Sequence, residues 1–202
     1  MSKLFVDEIV HQSSQGSGTI NIGASGESVT VPSGATLNVS GTPGTGIRMK
    51  PFFKVYKSAN TNLSSATATL VTHNGVVYNA DTVYNTSTGK FTVPSGEGGY
   101  YFLNALTRIT GSSGNTFNYA TNQFYLNGSS AEYLQHSYTT SGGNFNNDQL
   151  PLSTVMQLSV GDEVQVYITL SVSSGTPILV GSGAGTSGGS TTRFEGFKLI
   201  GI

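Results

Sequence analysis

Few residues in this chain have both the type and the spacing to do chemistry. Ser87-Thr88-Gly89-Lys90 ends like a phosphate-binding loop, in which backbone amides cradle the phosphates and the lysine reaches their oxygens. The rest of that loop is wrong, because Tyr84 stands where its first glycine belongs and Phe91 replaces the hydroxyl residue that would hold magnesium. The segment reads as a hairpin turn. His11, His73 and His136 are scattered, without metal-ligand spacing and without the strand-turn-helix setting of a hydrolase nucleophile. Asp81, Asp148, Asp162 and Glu163 fall in turn-like segments where a calcium ion could find oxygens, but isolated turn carboxylates ordinarily bind backbone amides. No two carboxylates flank a pocket that can be named, as sugar cleavage would need. The expectation is a protein that is not an enzyme, with no catalytic residue, no metal and no cofactor.

The bulk composition narrows the partners. Nine Lys and Arg against ten Asp and Glu leave a net charge of -1, so no basic field exists to neutralise nucleic acid or an anionic membrane. Charged residues make up only 9%, which leaves a surface wetted mainly by hydroxyls and amides. The absence of cysteine excludes disulfides and thiolate sites, so stability must come from burial and assembly. No apolar run is long enough for a membrane helix, and residues 1–10 lack the apolar stretch of a signal peptide, so neither membrane insertion nor export by that route is expected.

What must position any surface is a set of strands in two regions divided near residue 47. In the first, 1–47, short stretches at 19–22, 28–31 and 36–39 alternate apolar and polar residues between glycine-rich turns. Strands of that length cannot bury a core alone, so they need copies from neighbouring chains, and 1–47 is expected to be a β-rich stalk and docking segment. In the second, 48–202, strands are expected at 52–56, 68–78, 90–93, 100–110, 116–126, 133–139, 154–158, 163–172 and 193–200, with no helical periodicity. That pattern is all-β and suits a two-sheet jelly roll. Val164, Val166, Ile168, Leu170 and Val172 alternate with polar neighbours, as a strand with one buried face should. Tyr100, Phe102 and Leu106 oppose Tyr101, Leu103, Ala105 and Ile109, so that strand needs cover on both faces.

Asn79 is followed five residues on by Tyr84, then by Phe91, Gly98, Tyr100 and Phe102, and the chain ends near Phe194-Glu195-Gly196-Phe197-Lys198-Leu199. This spacing resembles the central strands and closing strand of the C1q family over roughly 50–202, with departures at His73, at one inserted residue before Gly98 and at Asn104. The resemblance implies a ten-stranded jelly roll of the C1q and tumour-necrosis-factor type, assembled as a homotrimer with aromatic residues near the three-fold axis. By position Tyr100, Tyr101, Phe102, Phe194 and Phe197 take core or trimer-interface roles. No enzymatic activity is implied, and no ligand carries over.

Residues 29–41 look like the β-structured shafts of phage tail fibres. The expectation is therefore a bacteriophage virion structural protein, assembled in the host cytoplasm, forming a trimeric fibre or spike that contacts the host surface. The alternative is a capsid or tail decoration protein. The first segment would dock on other virion proteins. If strands run alternately up and down, the long connections 58–65, 111–115, 141–147 and 181–190 gather at one tip. Binding of a host glycan or envelope protein is expected there, through Asn115, through Asn144, Phe145 and Asn146, and through Ser182, Thr186 and Ser187.

Overall fold

The computed structural model of the protein describes residues 50–112, 114, 116–138, 147–181 and 192–199. The expected stalk, 1–47, lies outside the described residues.

The chain reads as strands because β-branched and aromatic residues alternate between turn-forming clusters, and the structure pairs them into two sheets. In chain order the strands are β1 (Phe52–Tyr56), β2 (Thr61–Asn62), β3 (Thr69–Leu70), β4 (Gly75–Asn79), β5 (Tyr84–Asn85), β6 (Lys90–Thr92) and β7 (Gly99–Gly111). They continue as β8 (Thr116–Leu126), β9 (Ser129–Ser137), β10 (Asp148–Leu158), β11 (Glu163–Ser174), β12 (Pro177–Leu179) and β13 (Arg193–Lys198). One sheet runs β2-β12-β7-β13-β1-β4, with β10 along the other edge of β7. The other runs β5-β6-β11-β8-β9, with β3 beside β11. Every pairing is antiparallel. Among the described residues the only helical piece is a short 3-10 turn at Ala80–Thr82.

The core sits between the two sheets. Val164, Val166, Ile168 and Leu170 of β11 are buried there, as their alternation requires. From the facing sheet come Phe53, Tyr101, Leu103, Ile109 and Phe194. Phe53 is the hub of an aromatic cluster, with ring centroids 4.8 Å from Phe91, 4.8 Å from Phe194 and 5.5 Å from Tyr84. A polar clasp crosses the same gap. The Thr107 hydroxyl donates to Asn122 Oδ1 (3.1 Å), and Asn122 Nδ2 donates to the Leu150 carbonyl (2.8 Å), so a fully buried amide of β8 is satisfied by β7 and β10 of the facing sheet.

Three expected segments change on folding. The expected strand 68–78 is broken: β3 belongs to one sheet and β4 to the other, and the chain crosses between them at 71–74, carrying His73 into the core. The strand expected at 154–158 begins earlier, at Asp148, and runs through Pro151. Among the described strands β10 pairs only with β7, and an edge strand tolerates a residue with no N–H to donate. Residues 61–62, expected within a loop, pair with β12.

Where β13 passes between β1 and β7 the packing leaves no room for a side chain at Gly196. A Cβ there would lie 2.7 Å from Leu103 Cδ2 and 3.0 Å from Phe53 Cε1. Gly196→Ala should therefore destabilise the fold by about 1–3 kcal/mol. Urea unfolding at fixed protein concentration checks this, and an unchanged midpoint would contradict the packing.

Candidate functional site

The functional surfaces are built from the two outer faces of the sandwich, and β7 organises the first. Its odd positions, Tyr101, Leu103, Ala105, Thr107 and Ile109, are all buried in the core. Its even positions point the other way and are only partly covered, with Tyr100 42% exposed. Antiparallel register places partners on the same face, so Phe102 lies beside Val155 of β10 on one side and Phe197 of β13 on the other, and Phe197 lies beside Phe52 of β1. Phe52 in turn packs edge-on against Tyr78 of β4 at 5.5 Å, and Phe102 meets Phe197 at 5.3 Å. The result is an apolar row crossing five strands on the outside of one protomer, with Val155 53%, Tyr78 43% and Phe52 36% exposed. Beside it runs a charged row in which Asn104 Nδ2 donates to Glu195 (2.8 Å) and Lys54 pairs with Glu195 (3.1 Å).

Of the residues expected at a core or an interface, Tyr101 and Phe194 are core, fully buried, while Tyr100, Phe102 and Phe197 lie on the outer face. Asn115, Asn144, Phe145, Asn146, Ser182, Thr186 and Ser187 lie outside the described residues. The described flanks of their loops do meet at one end. Gly181 donates its N–H to Asn60 (3.0 Å), Leu63 to the Pro177 carbonyl (2.9 Å), and Ser112 to the Thr176 carbonyl (3.0 Å). The short turns 127–128 and 160–162 cluster at the other end, where Asn127 Nδ2 donates to Asp162 (2.9 Å).

The remaining chemical candidates have structural employment. Asn85 Oδ1 accepts from the amides of Ser87 and Thr88, and Gly89 takes a φ of 68°, so Ser87, Thr88 and Gly89 lie in the turn between β5 and β6, and Lys90 opens β6. The four carboxylates serve different partners. Asp81 pairs with Lys50 (3.2 Å), Glu163 with Lys90 (2.6 Å), Asp162 accepts from the Ser159 amide (2.8 Å), and Asp148, the first residue of β10, accepts from the Tyr138 hydroxyl (2.7 Å) and faces His136 (3.1 Å). Burial and the Asp148 charge hold the Tyr138 phenol protonated far above its usual range. Among the described residues no three metal-ligating side chains come together. The motif spacing from Asn79 to Tyr84 also finds a physical cause: the Asn79 amide donates to the Tyr84 carbonyl (2.8 Å) and accepts its N–H (3.0 Å), bracketing the 3-10 turn.

A two-sheet antiparallel sandwich whose last strand inserts between its first and its central strand defines a C1q-type jelly roll. The family model of the C1q domain matches residues 52–199, and the chain belongs to that family. The solved structures similar to it include the globular domain of the zebrafish complement 1qA protein, at 18% identity and a TM-score of 0.49, covering 75% of this chain and 98% of that one. Another is the Eiger tumour necrosis factor from S. frugiperda, at 12% identity and a TM-score of 0.48, covering 76% of this chain and 96% of that one. Curated protein sequences give no match.

His73, one departure from the family pattern, is buried completely among Tyr84 and Phe194. Its Nδ1 lies 3.1 Å from the Tyr84 hydroxyl, and its Nε2 has no hydrogen-bond partner among the described residues. Burial first, then the Lys57 cation, push its pKa down to about 3, with the Val71 backbone opposing only in part. The unfolded chain takes up the proton near pH 6.5 and the folded chain does not, so stability is fully present above that pH and falls as pH drops toward about 3. The loss is about 1.4 kcal/mol per pH unit in that window. His73→Phe should remove this component, so urea midpoints compared between about pH 7 and about pH 4 should fall further for the wild type than for the variant. Equal falls would show that His73 is not the buried base described.

Proposed function

We propose that the chain is a homotrimeric, non-enzymatic head that works by self-association and surface recognition. The observation that carries this is the outer apolar row through Val155, Phe102, Phe197, Phe52 and Tyr78, set against β9, whose nine residues are all exposed in the protomer. An apolar face on one sheet and an uncovered strand edge elsewhere are two different surfaces. Contact between different surfaces is head-to-tail, which makes a ring where the rotation between copies closes and does not make a two-fold dimer. Family membership supports the same reading.

The setting we propose is a bacteriophage particle, with the head on a fibre or spike and the first segment docked on other virion proteins. The shaft-like alternation within 29–41 supports it. Immunogold labelling of purified particles distinguishes an appendage, labelled at its tips, from a decoration protein spread over the capsid. Particles free of label would overturn the virion setting and leave the trimer standing.

Light scattering of the wild type should give the mass of three 21.0 kDa chains at micromolar concentration. Phe102→Asp buries a carboxylate in the centre of the row, which costs several kcal/mol, and should give folded single chains with an unchanged far-ultraviolet spectrum. A monomeric wild type, or a trimeric variant, defeats the proposal.

A further inference from the structure

The outer face of the second sheet differs in kind from the apolar row on the first. The inward positions of β8 and β11 fill the core, and the outward ones are Tyr119, Thr121, Gln123 and Tyr125 on β8, with Tyr167 and Thr169 on β11. Register sets Gln123 between Tyr167 and Tyr133 of β9 in one row, and Tyr125 beside Gln165 in the next. The Tyr125 and Tyr167 rings stack at 4.1 Å with 27° between their planes, and Tyr133 at the end of the row is 64% exposed. From Gln165 to Ser171 on β11, and from Tyr119 to Tyr125 on β8, no outward side chain is charged and none is aliphatic. The first charges met, Lys90 and Glu163, neutralise each other at 2.6 Å on the rim.

From this face we infer a binding site for a neutral glycan. An ionic ligand would lose water and find no counter-charge. Register adds the half-buried Leu70 of β3 beside Tyr167, a small aliphatic area against the broad apolar core that a protein interface buries. An uncharged sugar chain presents what the accessible part of the face complements, Thr121 and Gln165 being buried: hydroxyls for the Gln123 amide, the Thr169 hydroxyl and the phenols, and polarised C–H groups for the electron-rich faces of tyrosine rings. Tyrosine gives large contact area with few torsions to freeze, and rings held by sheet register and by stacking on each other are ordered before binding. Two strand spacings separate Tyr133 from Tyr167 within their row, about 10 Å, the scale of a disaccharide rather than a single sugar. The stacked rings of Tyr125 and Tyr167 lie on β8 and β11 of one protomer, apart from the row proposed to pack subunits, and only Tyr133 shares β9 with the proposed subunit contact. Several copies on one assembly would convert weak single contacts into firm attachment.

The test is affinity electrophoresis of the full chain through gels containing dextran, mannan, galactomannan or xyloglucan, with alginate and heparin as charged comparisons. At least one neutral polymer should retard the wild type. Tyr125→Ala with Tyr167→Ala should weaken that retardation at least tenfold while leaving the oligomeric state unchanged. Gln123→Glu, which places a carboxylate in the middle of the row without removing a ring, should do the same and covers the case in which the double variant misfolds. Retardation by none of the neutral polymers, by the charged ones alone, or undiminished in Gln123→Glu would overturn the assignment.

Discussion

Everything in the head depends on the contact of Phe53 with Phe91 and Phe194. Phe53 comes from β1 and Phe194 from β13 of one sheet, while Phe91 comes from β6 of the other, so the cluster is where the sheets are pressed together. Tyr84 extends it, stacked 5.5 Å from Phe53, and Phe124 joins through Phe194 at 5.6 Å. Large rings supply most of the apolar area in a sandwich of this width, and their packing fixes which parity of each strand faces in. Once Phe53 and Phe194 point inward, Phe52 and Phe197 must point outward on those strands. The outer apolar row is thus a geometric consequence of the core and cannot be removed by sliding a strand, because a one-residue slip would empty the core.

The two outer faces of the sandwich differ in chemical character. The first sheet turns rings and a valine outward next to a strip of paired charges, a composition that excludes water when another copy covers it. The second turns phenols, amides and hydroxyls outward, which keep their hydrogen-bonding capacity in water. The Thr107–Asn122–Leu150 clasp joins the sheets between those faces, so neither can slide without breaking a buried amide's bonds.

The sequence revealed most where one strand carries its own signal. Strand β8 has the bounds that its residues imply, 116–126, and β11 shows its buried parity in the order of Val164, Val166, Ile168 and Leu170. The two-sided demand of β7 is equally visible in Tyr100 to Ile109. Strands of two or three residues, β2, β5 and β12, are too short for alternation to register. The break at 71–74 was hidden because Val71 and His73 continue the alternation of the residues around them while the backbone changes sheets. The tyrosine face escaped detection for another reason: Tyr125, Tyr133 and Tyr167 become neighbours only through cross-strand register, which no single strand encodes. The loop residues expected to bind lie outside the described structure, so the site argued from the fold rests on strands.

The position of β13 also bears on how the chain is made. It pairs with β1 on one side and β7 on the other, so the first sheet has a gap in its middle until residues 193–198 leave the ribosome. Phe53 of β1 then meets Gly196 across more than half of the chain's length, a pairing that loop-closure entropy makes slow. Before that moment the nascent head exposes the rings of Phe53 and Tyr84 with no Phe194 to cover them. Residues 193–198 must therefore be made before the fold can lock, and a ribosome stalled ahead of them holds a sticky half-sandwich in place of a nearly complete head.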